Sequence, residues 1–193
     1  MNKLFDLIAV EYGWFFEYQR KVYRKNWSII ENTIDFKGRK KVLDIGCGTG
    51  ALASVLAESG FMVTGVDSAP RMIKVAIRKT KVYNIELIQG NLLEEDLFTE
   101  TFDFCIASYV AHGLKKDERL RFYKRCRALA KDLVLFIDYN SKKNLGVSMI
   151  EFLEGGNYFD FIKDPVGDLK KVFSSVEIIE LGGVGACYVC ISK

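Results

Sequence analysis

Proline is almost missing from this chain of 193 residues: only Pro70 and Pro165 occur, so no proline-dependent motif can be hidden elsewhere. Long apolar runs are missing too. Purely aliphatic and aromatic stretches are as short as Leu133 to Ile137, far below the roughly 18 residues that a membrane span needs. Charge of one sign is also scarce, because 28 Lys and Arg stand against 25 Asp and Glu. A net charge of +3 therefore requires neither a nucleic-acid nor a membrane partner, and neither is expected. The five cysteines, Cys47, Cys105, Cys126, Cys187 and Cys190, are odd in number and irregularly spaced, which excludes a secreted disulfide framework. Cys187 and Cys190 form a CxxC, but on a strand residues three apart point to opposite faces, so no metal site is expected. Asp6, Glu11 and Glu17 interrupt the N-terminal apolar pattern and do not suit the uncharged core of a signal peptide. The expected address is cytoplasmic.

What is present is the material of one globular domain, here residues 1–193. Hydrophobic residues make up 49% of the chain and charged residues 27%, which excludes a disordered polar polymer. From Lys40 onward, short β-like runs alternate with helical patterns, the signature of a doubly wound, mostly parallel α/β sheet with helices on both faces. Strands are predicted at Lys41–Ile45, Met62–Val66, Ile85–Ile88, Phe102–Ala107 and Leu133–Ile137. The spacing predicts helices over Gly50–Ser59, from Pro70, and over Lys115–Ala130. The last of these carries Lys116, Arg119, Lys124, Arg125 and Arg127. That face reads as the solvated side of a sheet-covering helix, with a groove for an anionic partner as the alternative. Asp164 and Pro165 predict a helix through Phe173. The runs Val176–Leu181 and Ala186–Ser192 are then close enough to form only an antiparallel hairpin.

The first 36 residues hold nine of the 25 aromatic residues. Two amphipathic helices packed on the sheet account for most of them, and a lid over a ligand is the alternative.

The chemistry concentrates at Val42, Leu43, Asp44, Ile45, Gly46, Cys47, Gly48, Thr49 and Gly50, a strand running directly into a glycine-rich turn and a helix. In a doubly wound sheet such a turn opens on the crevice at the carboxyl ends of the strands. Asp67 ends the next strand, where a carboxylate can accept hydrogen bonds from both ribose hydroxyls. With Ala51 the segment also satisfies GxGxxA, so a nicotinamide or flavin dinucleotide has to be weighed. The third glycine comes early for that motif, a hairpin replaces the second parallel half, and Asp44 beside the turn would repel a pyrophosphate. The same acid would attract a cationic amine.

These residues resemble the class I, Rossmann-like S-adenosylmethionine-dependent methyltransferases, from about Lys40 to the C-terminus, through the string VLDIGCGTG and the GVD of the next strand. The resemblance implies seven strands in the order 3-2-1-4-5-7-6 with strand 7 antiparallel, an α/β core over 39–193 and an N-terminal helical cap over 1–38. It implies the cofactor S-adenosyl-L-methionine, with S-adenosyl-L-homocysteine as product. Asp44, Gly46, Cys47, Gly48 and Gly50 would line its methionine part and Asp67 its ribose, with Ser68 and Met72 beside the adenine. Gln89, Gly90, Asn91 and Leu92 look like the family's adenine-edge site, with Asn91 where an aspartate is usual. Ser108 and Tyr109 match the positions nearest the reacting methyl.

Methyl transfer from a sulfonium is an in-line displacement, so the protein has mainly to align a nucleophile and exclude water. A base is needed only if the acceptor is protonated when it attacks. His112, the only histidine, is the candidate base, and a polar residue opening the helix beyond strand 4 is its simpler role. Tyr12, in a stretch similar to the cap of small-molecule members, is the candidate lid residue, simple packing being the alternative. No Asn-Pro-Pro-Tyr or Pro-Cys motif follows strand 4, which argues against amino-group and cytosine C5 acceptors. The aromatic N-terminal segment and Tyr139 to Asp164, with Met149, Phe152, Tyr158, Phe159 and Phe161, suit a small, partly apolar acceptor. The expected function is methylation of a small molecule; RNA or protein methylation and nicotinamide-dependent oxidoreduction are the alternatives.

Overall fold

In the computed structural model, which describes residues 16–142 and 157–192, the alternating pattern becomes a single seven-stranded sheet. A helix α1 (Phe16–Glu31) leads into β1 (Lys41–Ile45), α2 (Ala51–Glu58), β2 (Met62–Asp67), α3 (Pro70–Thr80) and β3 (Ile85–Gln89). The chain then crosses back to β4 (Phe102–Ser108), α4 (Lys116–Leu129) and β5 (Ala130–Tyr139). A short α5 (Tyr158–Phe161) precedes the closing strands β6 (Ser175–Gly182) and β7 (Gly185–Ile191). The strand order is β3-β2-β1-β4-β5-β7-β6. All pairs from β3 to β5 are parallel, and β7 is antiparallel to both β5 and β6, as expected.

Period-two alternation along the central strands divides the core. Leu43, Ile45, Cys105, Ala107, Val134 and Phe136 face one layer, where Phe122, Tyr123 and Cys126 of α4 pack. Val42, Phe104, Ile106, Leu133, Leu135 and Ile137 face the other, where Trp27 and Ile30 of α1 and Leu52, Val55 and Leu56 of α2 pack. Trp27 sits 5.1 Å from Phe36 and 5.7 Å from Phe61, ring centre to ring centre, so these aromatics are packing residues under α1. Cys187 belongs to one layer and Cys190 to the other, as strand alternation requires.

Two expectations need correction. No α-helix follows Pro165; turns lead to a single 3-10 segment at Leu169–Lys171. Asp164 Oδ1 does accept the Gly167 N–H at 2.8 Å in the manner of a cap. Gly167 is nevertheless a poor helix residue, and it closes so tightly that a Cβ there would lie 1.9 Å from Asp164 Oδ2. Nor is the basic face of α4 simply solvated. Arg119 is 3% exposed, donates to Asp168 from Nε and Nη2, and lies 5.4 Å from the centre of the Phe161 ring. Arg125 pairs with Asp96 and Arg127 donates to the Val172 carbonyl, so three of the five cations, Arg119, Arg125 and Arg127, fasten neighbouring segments.

Candidate active site

The switch point of the sheet lies between β1 and β4, and the glycine turn opens there. Gly46, Cys47 and Gly50 are fixed by backbone hydrogen bonds: Gly46 and Cys47 donate to the Val66 carbonyl at 2.8 and 3.0 Å, and Gly50 to the Cys47 carbonyl at 2.9 Å. Gly46, Gly48 and Gly50 have φ of 73°, 54° and 79°, a region that costs other residues dearly. Their surroundings differ. A Cβ at Gly46 would meet Val110 at 2.5 Å and one at Gly50 would meet Thr80 at 2.8 Å, whereas one at Gly48 would meet nothing within 4 Å. Gly48 therefore lines open space, and the other two allow elements to approach.

Asp44 and Asp67 flank this turn. Asp44 is 1% exposed and its Oδ2 has no hydrogen-bond partner among the described residues. Burial, reinforced by the negative charge of Asp67, pushes its carboxyl up to about 7, while the Ala53 backbone N–H pulls the other way. Asp67 is oriented by two amides, Gly48 N at 2.9 Å on Oδ2 and Ala69 N at 2.8 Å on Oδ1. Ser68 follows it directly, and Met72 is buried with Ala69 and Val75 in a small apolar cluster at the start of α3. Cys47 is buried as well; its side chain packs toward Gly65, where a Cβ would lie 3.1 Å from the sulfur, and burial holds the thiol protonated. Only the Cys47 backbone belongs to the turn.

Beyond β3, Gly90 donates to the Asp67 carbonyl at 3.0 Å, which brings Asn91 alongside the second acid. The Asn91 Oδ1 accepts the Leu93 N–H at 3.0 Å and so shapes the turn it begins. Leu92 is 6% exposed and part of the core.

Ser108 ends β4 beside the turn, and Tyr109 follows it. Ser108 Oγ is 2.9 Å from the hydroxyl of Tyr23, and Thr49 Oγ1 is 3.1 Å from Gln19 Oε1, so α1 lies across both the glycine turn and the end of β4. Buried Arg20 anchors that helix further by pairing with Glu17 and Glu58 and by donating to the Tyr83 hydroxyl at 2.6 Å. Tyr23 thus touches the end of β4 from α1. Tyr12, Met149 and Phe152 lie outside the described residues. Tyr109 has φ +54°, the one positive φ outside glycine among the described residues, and burial with the nearby Asp138 charge pushes its hydroxyl up to about 12. Strain of this kind costs about 1–3 kcal/mol and tends to gather at functional positions.

His112 is the middle residue of a short 3-10 turn, Ala111–Gly113, after β4 and is 9% exposed. Its Nδ1 lies 2.7 Å from Asp138 Oδ1. Asp138, 1% exposed near the end of β5, also accepts the Ala111 and His112 backbone N–H groups on Oδ2 at 3.0 and 3.2 Å. The rings of Tyr139, Tyr109 and Phe161 surround the imidazole at 4.8, 6.3 and 6.5 Å. Asp138 was not singled out from the sequence, because it stands 26 residues from its partner and just beyond the apolar run Leu133–Ile137. Of the expected lining, Tyr158 and Phe161 are buried, and Phe159 is 40% exposed. No cluster suited to a metal ion occurs among the described residues, and none of their helices is long and apolar enough to cross a membrane.

Sheet order, glycine turn and paired acids together define a doubly wound α/β sheet with two acids flanking a glycine turn at its strand ends. Residues 42–132 match the family model described as a methyltransferase domain. An uncharacterised methyltransferase of Alkaliphilus oremlandii is 33% identical over 97 residues, covering 50% of this chain and 44% of that protein. A ubiquinone biosynthesis O-methyltransferase of Coxiella burnetii is 34% identical over 106 residues, covering 53% of this chain and 43% of that protein. The matches thus span less than half the length of these relatives. Among solved structures, human N-acetylserotonin methyltransferase in complex with SAM shares the fold at a TM-score of 0.71, with 16% identity over 95% of this chain and 56% of that one. The magnesium protoporphyrin IX methyltransferase of Synechocystis PCC 6803 with bound SAH shares it at 0.62, with 18% identity over 91% and 84% of the two chains.

Proposed function

We propose that this chain is an S-adenosylmethionine-dependent methyltransferase acting on a small molecule, within one domain in which residues 1–38 cap a cofactor-binding core over 39–193. The observation that carries the reading is the Asp44 carboxylate, buried with one oxygen unpartnered among the described residues, behind a glycine whose Cβ position is open. A buried acid in that state calls for a cationic group, which the ammonium of a methionine moiety supplies and a pyrophosphate does not. Asp67 would hold the ribose hydroxyls, Ser68, Met72, Asn91 and Leu92 would bound the adenine, and Ser108 and Tyr109 would face the methyl. When bound, the cofactor supplies an electrophilic methyl on a positively charged sulfur. The protein's part is to bind it, to align an acceptor about 3–3.5 Å from that carbon and to exclude water.

Two further observations favour a small acceptor. The ring cluster of Tyr109, Tyr139 and Tyr158 offers a compact aromatic lining. The cations of α4 that would have met a nucleic acid are partly spent on internal pairs. The relatives named for ubiquinone biosynthesis and for protoporphyrin methylation agree with this class. Thermal shifts with S-adenosylmethionine, S-adenosylhomocysteine and NAD, followed by a labelled-methyl screen over acceptor classes, test the proposal. Stabilisation by the first two and labelled small-molecule product are expected. Stabilisation by NAD alone would establish an oxidoreductase, and salt-sensitive labelling of RNA or protein would establish a macromolecular acceptor.

A further inference from the structure

We propose that the outward faces of α1 and α3 form one surface that binds the headgroup region of an anionic lipid bilayer. The overall charge of +3 hides how unevenly the charge is placed. From Ser68 to Ile85 the chain has no Asp or Glu and carries Arg71, Lys74, Arg78, Lys79 and Lys81. The buried side of α3 takes Met72, Ile73, Val75, Ala76 and Thr80, which leaves Lys74, Arg78 and Lys81 exposed on the opposite stripe with Ile77 and Val82 beside them. Helix α1 is built alike. Phe16, Arg20, Trp27 and Ile30 face the protein, and Tyr18, Lys21, Val22 and Lys25, at i, i+3, i+4 and i+7, face outward. Four of the eight exposed large apolar residues among the described residues, Tyr18, Val22, Ile77 and Val82, therefore stand among cations on these two helices.

The two helices adjoin. Right-handed connections through strands ordered β3-β2-β1 put α2 and α3 on one face of the sheet, and α1 packs with α2 on that same face. Near the start of α1 and the end of α3, Lys79 Nζ stands 5.6 Å from the centre of the Phe16 ring, and Arg20 donates to the Tyr83 hydroxyl at 2.6 Å. Two acids beside this junction are already engaged, Glu17 by Arg20 and Glu58 by Arg20 and Arg24. Lys21, Lys25, Lys74, Arg78 and Lys81 pair with no carboxylate among the described residues, so their charge is directed outward.

The mixture of side chains selects the partner. Cations alone would suit any polyanion. A nucleic-acid surface interleaves its cations with rings on which bases stack, and Tyr18 is the one aromatic member of this set. An acidic protein would require contiguous apolar ground at the centre of the contact, whereas here the apolar side chains alternate with cations. A bilayer interface accepts them one by one: aliphatic groups enter between headgroups, a tyrosine ring sits at headgroup level, and lysine stems bury their methylenes while the ammonium stays with the phosphates. None of the described helices is long and apolar enough to cross a membrane, so the attachment proposed is peripheral. Each cation near an anionic leaflet adds about fivefold in affinity, a gain that salt removes.

Cosedimentation of the full chain with phosphatidylcholine vesicles, with and without about one-third phosphatidylglycerol, tests the proposal. Binding to the mixed vesicles, at least about tenfold weaker binding to phosphatidylcholine alone and release by about 0.5 M salt are expected. Combining Lys74→Gln, Arg78→Gln and Lys81→Gln should weaken binding about 10²-fold. Combining Lys116→Gln, Arg121→Gln and Lys124→Gln removes the same charge from exposed positions of α4, on the other face of the sheet, and should leave binding within about threefold of the parent. Tyr18→Ser with Ile77→Ser should cost about tenfold. All eight side chains are exposed, and circular dichroism melts matching the parent check that the variants fold; if the serine variant does not, the parent and the two glutamine variants still decide. No binding to the mixed vesicles, equal binding to both kinds, equal losses in the two glutamine variants or undiminished binding of a folded serine variant overturns the proposal. Tighter binding of polyuridylate or polyglutamate than of the mixed vesicles at the same salt overturns the lipid as occupant. Vesicle binding needs no cofactor, so its failure leaves the methyl-transfer reading untouched.

Discussion

Replacing Asp44 by Asn should make the unliganded protein more stable and the liganded protein weaker, and the pH dependence separates this from any unrelated effect of the amide. The Asp44 carboxyl lies at about 7 in the folded chain against 3.8 as its ordinary value. For an acid whose folded pKa is raised, the native state keeps a proton that the unfolded state releases, so stability falls as pH rises between those values and is flat above them. At about 1.36 kcal/mol per unit, the penalty is about 1.6 kcal/mol at pH 5 and about 4 kcal/mol at pH 8. Any fixed cost of the Asn cancels in the difference. The stability gap between Asp44→Asn and its parent should therefore grow by about 2–3 kcal/mol from pH 5 to pH 8, about 5–10 °C in Tm for a domain of this size. Calorimetry of both proteins in matched buffers measures it. In the parent, an ammonium ligand competes with the proton, so affinity for S-adenosylmethionine should rise about tenfold from pH 6 to pH 7.5. In Asp44→Asn that rise should disappear. Parallel stability curves for the two proteins would refute the claim that Asp44 is a buried acid awaiting a cation.

Other outcomes follow from the same geometry. Gly48→Ala places a methyl in open space and should weaken cofactor binding more than tenfold with a modest fall in Tm, whereas Gly46→Ala collides with Val110 and should lose several kcal/mol of stability; equal losses of both kinds in the two variants would contradict this division. Tyr23→Phe removes the contact with Ser108 and should cost about 0.5–1.5 kcal/mol in denaturant melts, together with a severalfold loss of cofactor affinity by titration calorimetry. Asp103 accepts Lys131 Nζ at 2.7 Å and the Lys40 and Lys41 amides at 2.7 and 2.8 Å, contacts that hold its carboxyl well below the usual range. Its contribution is present above the ordinary carboxylate pKa and is lost as pH falls toward the folded value. Asp103→Ala should thus cost about 1–3 kcal/mol at pH 7 and progressively less in acid melts.

The sheet was legible in the sequence because its signals are local. The β1 run, the glycines after it and Asp67 lie within 27 residues, and each strand carries its own apolar pattern. The helix expected after Pro165 failed for a local reason as well: Gly167 lowers helix propensity just where the Asp164 side chain offers the backbone another partner. Contacts between distant segments left no signal of that kind. Arg119 looked solvated because its partner Asp168 lies 49 residues further on. Tyr23 and Ser108 are separated by 85 positions and meet only once α1 is laid over the sheet. Asp138 lies one residue beyond the strand read at Leu133–Ile137, and it met a partner only when β5 was set beside β4 and the turn carrying His112 folded down upon it. The glycine turn and its two acids were therefore legible from motif spacing, while the contact between His112 and Asp138 emerged from topology.

Titration calorimetry of S-adenosylmethionine, S-adenosylhomocysteine and NAD against the parent and Asp67→Ala at pH 7.5 tests the central claim most directly. One-to-one binding of both sulfur compounds, a loss of about tenfold or more in Asp67→Ala and no binding of NAD are predicted. Binding of NAD without S-adenosylmethionine, or an Asp67→Ala protein that binds S-adenosylmethionine as tightly as its parent, would contradict the account.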